Sequence, residues 1–196
     1  MRRLHPLIIG VLAALLLPLT AQAQVDPDPN GVGIYFDTGA TQAAFDVAIP
    51  PGGHAEVVAY LVATRVSIPG FVEYVEGRVT WDQPQVSPLA GLHDWDPCWE
   101  MPVPMHDEIC AWFNAGVLAT GDAVVLRSYS VLLWDTDLPE PLRFFVPRMS
   151  LTLHTGQEIA LFPSSGDPAR PVAVINGPAP VPVASTGWGS LKVLFR

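Results

Sequence analysis

The stretch Val75-Glu76-Gly77-Arg78-Val79-Thr80-Trp81-Asp82 alternates without a break. Successive side chains of an extended chain point to opposite sides, so Val75, Gly77, Val79 and Trp81 share one face and Glu76, Arg78, Thr80 and Asp82 share the other. That is a half-buried strand with a charged outer face. A second stretch, residues 123–135, is apolar on both alternating sets and reads as a central strand covered on both sides.

Working outward, short apolar runs recur between Pro and Gly punctuation, such as Pro50-Pro51-Gly52-Gly53, Pro69-Gly70 and Gly177-Pro178-Ala179-Pro180. They predict strands at residues 32–37, 42–49, 55–66, 71–82, 111–119, 123–135, 142–147, 150–154, 158–162, 172–175 and 190–195. No segment keeps an apolar i, i+3, i+4 pattern over three turns, and 21 prolines would interrupt long helices. About ten short strands predict an all-β fold, a two-sheet antiparallel β-sandwich. An outer-membrane barrel is the alternative suggested by the ending Phe195-Arg196. It would need a repeated lipid-facing alternation with few prolines in the strands, and the chain lacks that.

The first 23 residues read as an export signal. Arg2 and Arg3 precede an apolar run from Leu7 to Leu17, broken only by Gly10 and closed by Pro18. Ala21-Gln22-Ala23 then supplies the small residues a signal peptidase requires. The run is too short to anchor stably in about 30 Å of hydrocarbon. The expectation is cleavage after Ala23, secretion or release into the periplasm, and no stable membrane insertion. Residues 24–31 read as an extended arm, and 32–196 as a single domain. Loss of Arg2 and Arg3 takes the formal charge from −9 to −11, since 8 basic residues then face 19 acidic ones. So acidic a chain is repelled by phosphate backbones, which excludes nucleic acid as a partner.

Cys98 and Cys110 lie in an oxidising compartment on this reading, and an isolated pair at that spacing predicts a disulfide-closed loop at 98–110. Closing about 13 residues stabilises by roughly 3 kcal/mol in the chain-entropy model. The loop falls within the longest irregular stretch, residues 83–110.

Three constellations could carry function. Asp37-Thr38-Gly39 after Ile34-Tyr35-Phe36 resembles the catalytic turn of aspartic proteases, where two aspartates share a proton. The chain holds no second Asp-Thr/Ser-Gly, and a strand ending in Asp37 and turning at Gly39 needs only ordinary turn chemistry. His93, Asp94, Asp96, His106, Asp107 and Glu108 offer imidazole and carboxylate donors for a metal, but at no recognised ligand spacing. Asp135, Asp137 and Glu140 offer oxygens for calcium without the glycine-bearing hand loop. Of the six tryptophans, Trp81, Trp112 and Trp134 sit in strand patterns and read as core. Trp95 and Trp99 lie in the loop and are the candidate ligand contacts. Nothing in the sequence calls for a cofactor.

The chain resembles a loosely defined group of uncharacterised secreted bacterial β-sandwich proteins. The matching residues are Gly33-Ile34-Tyr35-Phe36-Asp37 and Trp188-Gly189-Ser190-Leu191-Lys192-Val193-Leu194-Phe195-Arg196. Residues 57–65 and Val79-Thr80-Trp81-Asp82 are similar in rhythm to cohesin-like and immunoglobulin-like domains. The resemblance implies a fold and a compartment, and no activity. The expectation is a secreted, non-catalytic structural, adhesive or binding module with a protein or glycan partner. A carbohydrate-binding module using the loop tryptophans and an aspartic-protease-like enzyme using Asp37 are the alternatives.

Overall fold

A computed structural model describes residues 28–83, 86, 89–90, 106–119, 122–134 and 140–180. The expected signal peptide, most of the N-terminal arm and the strand at 190–195 lie outside them. Among the described residues ten strands form: β1 (Gly31–Tyr35), β2 (Ala44–Phe45), β3 (His54–Thr64), β4 (Gly70–Trp81), β5 (Leu89–Ala90), β6 (His106–Ala119), β7 (Ala123–Trp134), β8 (Leu142–Leu153), β9 (Glu158–Pro163) and β10 (Ala173–Ile175). Among the described residues there is no helix, and none that is long and apolar enough to cross a membrane.

Two ladders make up the hydrogen-bonded network. One runs β5-β7-β3-β1 and the other runs β6-β4-β8, with β10 and β2 beyond one end of β8. β9 belongs to both, antiparallel to β8 and parallel to β1. At the parallel seam Phe162 N–H donates to the Asn30 carbonyl and Ser164 N–H to the Val32 carbonyl, each at 2.8 Å. Pro163 falls between these donors, at the one position where a missing N–H costs nothing. The expectation of a purely antiparallel arrangement is therefore corrected: β1–β9 and β10–β2 are parallel. Parallel partners need long crossovers, and β1 and β9 are separated by most of the chain.

One apolar cluster draws on both ladders. Val57, Ala59 and Leu61 of β3 and Val131 and Leu133 of β7 pack in it with Val75, Val79 and Trp81 of β4 and Phe144, Val146 and Leu151 of β8. Trp81, 2% exposed, sits here as its alternation predicts, and its indole N–H donates to the Val86 carbonyl at 2.8 Å. A polar edge so deep is tolerable only when it is hydrogen-bonded. Where β4 runs out, Asp82 clamps it to β8. Its carboxylate accepts from the Arg143 backbone N–H and from the guanidinium, both at 2.9 Å.

Several boundaries differ from the sequence reading, each for a local reason. Residues 142–147 and 150–154 form one strand, β8, because Pro147 lies where the β4–β8 register slips between Arg78 and Thr80. A bulge is one of the few places where a strand accepts proline. The strand expected over 42–49 shrinks to Ala44–Phe45, since the preceding residues are taken up by a turn. Beyond it, the Asn176 side-chain carbonyl accepts from Val47 N–H at 2.7 Å in place of a backbone partner. The irregular stretch 83–110 is also shorter than expected: His106 to Cys110 belong to β6, in register with Thr80 to Glu76. Finally, β7 is not covered on both sides. Its set Val124, Leu126, Tyr129, Val131 and Leu133 is buried, whereas Ser128, Ser130, Leu132 and Trp134 reach the surface.

At Gly77 the strands β4 and β8 leave no room for a side chain. A Cβ there would lie 2.6 Å from both the Arg148 carbonyl oxygen and the Met149 sulfur. Met149 can move but the carbonyl cannot. Gly77→Ala is expected to destabilise by about 1–3 kcal/mol, the usual range for overpacking, read as a lower midpoint in chemical denaturation. An unchanged midpoint would mean that this approach is looser than described.

Candidate ligand-contact face

The protease-like turn is a structural cap. Phe36 N–H donates to the Gln42 carbonyl at 2.8 Å and closes a loop over Asp37. Inside it, Asp37 Oδ1 accepts from Thr41 N–H at 2.9 Å and from Gln42 N–H at 3.0 Å. Oδ2 accepts from the Thr41 hydroxyl at 2.5 Å. The left-handed residue is Ala40, at φ 55°, and not Gly39 as the sequence suggests. Ala40 is thereby tucked against Tyr35 and Val62, a small apolar patch where this loop covers the outer side of β1 and β3.

Partial burial pushes the Asp37 carboxyl upward, but the hydrogen bonds from the Thr41 hydroxyl and the Gln42 and Thr41 amides outweigh it. The carboxyl lies below its ordinary value. A carboxylate held by three donors of the loop braces it as an anion. Because the native value is depressed, the stabilisation is complete above the ordinary aspartate range and fades as pH falls through the native value. Asp37→Asn is therefore expected to lower the thermal midpoint at neutral pH, with the gap from wild type closing in acid. A gap that widens in acid would contradict the brace.

Cys98, Trp95, Trp99, His93, Asp94, Asp96, Asp135, Asp137 and Trp188 lie outside the described residues. Cys110 is on β6 opposite Glu76, while His106, Asp107 and Glu108 are on the same strand opposite Thr80, Val79 and Arg78. Trp112, also on β6, faces Tyr74 in register. Glu140 is exposed. Among the described residues, no group of three or more His, Cys, Asp or Glu side chains is placed to hold a metal ion.

The feature that the sequence reading missed is the outer face of β3 and β7. Trp134, expected in the core, is 46% exposed. It pairs with His54, and the two rings lie 5.1 Å apart at a tilt of 48°. The next rungs are Glu56 with Leu132, Val58 with Ser130, and Tyr60 with Ser128. Val58 is 45% exposed, and the Ser130 hydroxyl donates across the diagonal to Glu56 Oε1. A signal for this face was present: Ser128 and Ser130 share alternation parity with Trp134, and so mark its side as the wet one. On the other ladder Phe71 and Leu118, directly paired on β4 and β6, are 53% and 48% exposed.

No family model matches this chain, and no curated protein matches it. Among solved structures, it is similar to the cohesin in the Coh-OlpA-Doc918 cohesin–dockerin complex from Clostridium thermocellum, at 11% identity over 74% of this chain and 96% of that one, with a TM-score of 0.46. The seventh ScaB type I cohesin from Pseudobacteroides cellulosolvens is 10% identical over 80% and 98%, with a TM-score of 0.46. A cohesin module from the Clostridium perfringens family 33 glycoside hydrolase is 9% identical over 67% and 88%, with a TM-score of 0.40.

Proposed function

We propose that the mature chain is a secreted, non-catalytic two-sheet sandwich, of the immunoglobulin-like or cohesin-like kind, that works by binding a partner through an outward sheet face. On this reading residues 1–23 are removed on export, and Cys98 and Cys110 close a staple. The shared core of the two ladders supports the sandwich.

The observation that carries the binding role is the distribution of large apolar side chains left at the surface. They stand on regular strands rather than loop tips: Phe71 and Leu118 as a direct cross-strand pair, Val58 and Trp134 two rungs apart on the outward side of β3 and β7, and Phe162 on β9. Cross-strand pairs of this kind normally add to sheet stability by facing a covering layer. Exposed on rigid strands, they form flat, preorganised contact areas, and aromatic residues dominate the energetics of such contacts.

Two outcomes test the proposal. Intact-mass analysis of the exported protein is expected to give a chain beginning at Gln24 and lighter than its reduced form by two hydrogens. A longer chain, or an unchanged mass on reduction, removes the export or staple reading. The mature protein, immobilised and exposed to the secreted fraction of its host, is also expected to capture a partner. Either Trp134→Ala with Val58→Ser or Phe71→Ala with Leu118→Ser should abolish capture at an unchanged thermal midpoint. Capture that survives both double variants would defeat the role assigned to these faces.

A further inference from the structure

We infer that the β3–β7 face is a receptor for a cationic side chain, an arginine or lysine presented by a partner protein. The inference rests on the binding-module reading and names the chemistry of its partner. Three observations converge on this strip. The indole of Trp134 is nearly half exposed and is held in place by His54 on the neighbouring strand. Glu56 is the next outward residue along β3 from His54, so it stands diagonally across from Trp134. Diagonal neighbours on a sheet are about 7–8 Å apart at the backbone, within reach of aromatic and long side chains. The Ser130 hydroxyl donates to Glu56 Oε1 and fixes the carboxylate on the face, on the Val58–Ser130 side of its rung.

A cation over the indole face is attracted by the ring quadrupole, and Glu56 puts a carboxylate on the adjacent rung of the same face. The strip around them suits the rest of such a side chain. Val58 and Leu132 offer apolar contact to a methylene stem, and Ser128 and Tyr60 offer polar contacts beyond it. Charge selects the sign of the ligand. The outward residues of these four rungs include one carboxylate and no lysine or arginine, on a chain whose mature form carries a formal charge of −11. Such a field steers basic partners toward the surface and repels acidic ones.

The test uses the mature chain, the nuclear magnetic resonance signal of the Trp134 indole N–H, and three probes: a short blocked peptide with one central arginine, the same peptide with citrulline in that place, and a neutral gluco-oligosaccharide. The arginine peptide is expected to shift the Trp134 resonance saturably, with binding that weakens as salt rises, while the citrulline peptide leaves the signal in place. Glu56→Gln should weaken the arginine peptide by roughly threefold or more, and Glu76→Gln, an equal loss of charge on the opposite ladder, should not. Equal shifts by both peptides, or equal losses in the two glutamine variants, would overturn the inference. So would silence toward all three probes. A shift by the oligosaccharide and none by arginine would also overturn it, while leaving the module a binder. Partner capture that survives the face variants would instead strike at the binding reading itself.

Discussion

A common interior for two ladders is the constraint from which the other features of this chain follow. The strands β3, β4, β7 and β8 commit inward side chains to one apolar cluster, in which Trp81 and Phe144 are among the largest members. A pleated strand has only two sides, so this commitment also decides what is left outside. The outward strip of β3 and β7 is the complement of the inward set Val57, Ala59, Leu61, Val131 and Leu133. A one-residue slip in either strand would exchange the two sets, which is why the core fixes the position of Trp134 as firmly as that of Trp81.

The same constraint explains where the unusual backbone features fall. Pro147 sits at the β4–β8 bulge, and Pro163 sits between two donors of the parallel seam. Asp37 and Asn176 take over hydrogen bonds where regular pairing stops beside β2. The Asp-Thr-Gly sequence therefore serves packing: it returns the chain over β1 so that Ala40 can reach the patch formed by Tyr35 and Val62.

Much of this was legible in the sequence, and the misreadings share a cause. The alternation of Val75 to Asp82 identified the inner and outer sides of β4, and the Pro-Gly punctuation located most strands to within a residue or two. The parallel pairings were invisible because they join residues from distant parts of the chain and leave no local pattern. The break expected at Pro147 failed because tertiary pairing absorbed the proline in a bulge. Trp134 was assigned to the interior because it sits in a strand pattern, although the serines two and three rungs away on the same parity carried the contrary signal. The contact face spans two strands separated by 58 residues of chain, 65–122, with His54 and Trp134 at facing positions, so only the register brings it together.

The most direct check on the account is the relative solvent reactivity of two tryptophans in the folded, mature protein. Brief oxidative labelling followed by peptide mass spectrometry reads each one separately. Trp134 should label much faster than Trp81, and unfolding should bring the two rates together. Equal rates in the native state, or faster labelling of Trp81, would mean that the strands do not present these sides and would contradict both the core and the face built on it.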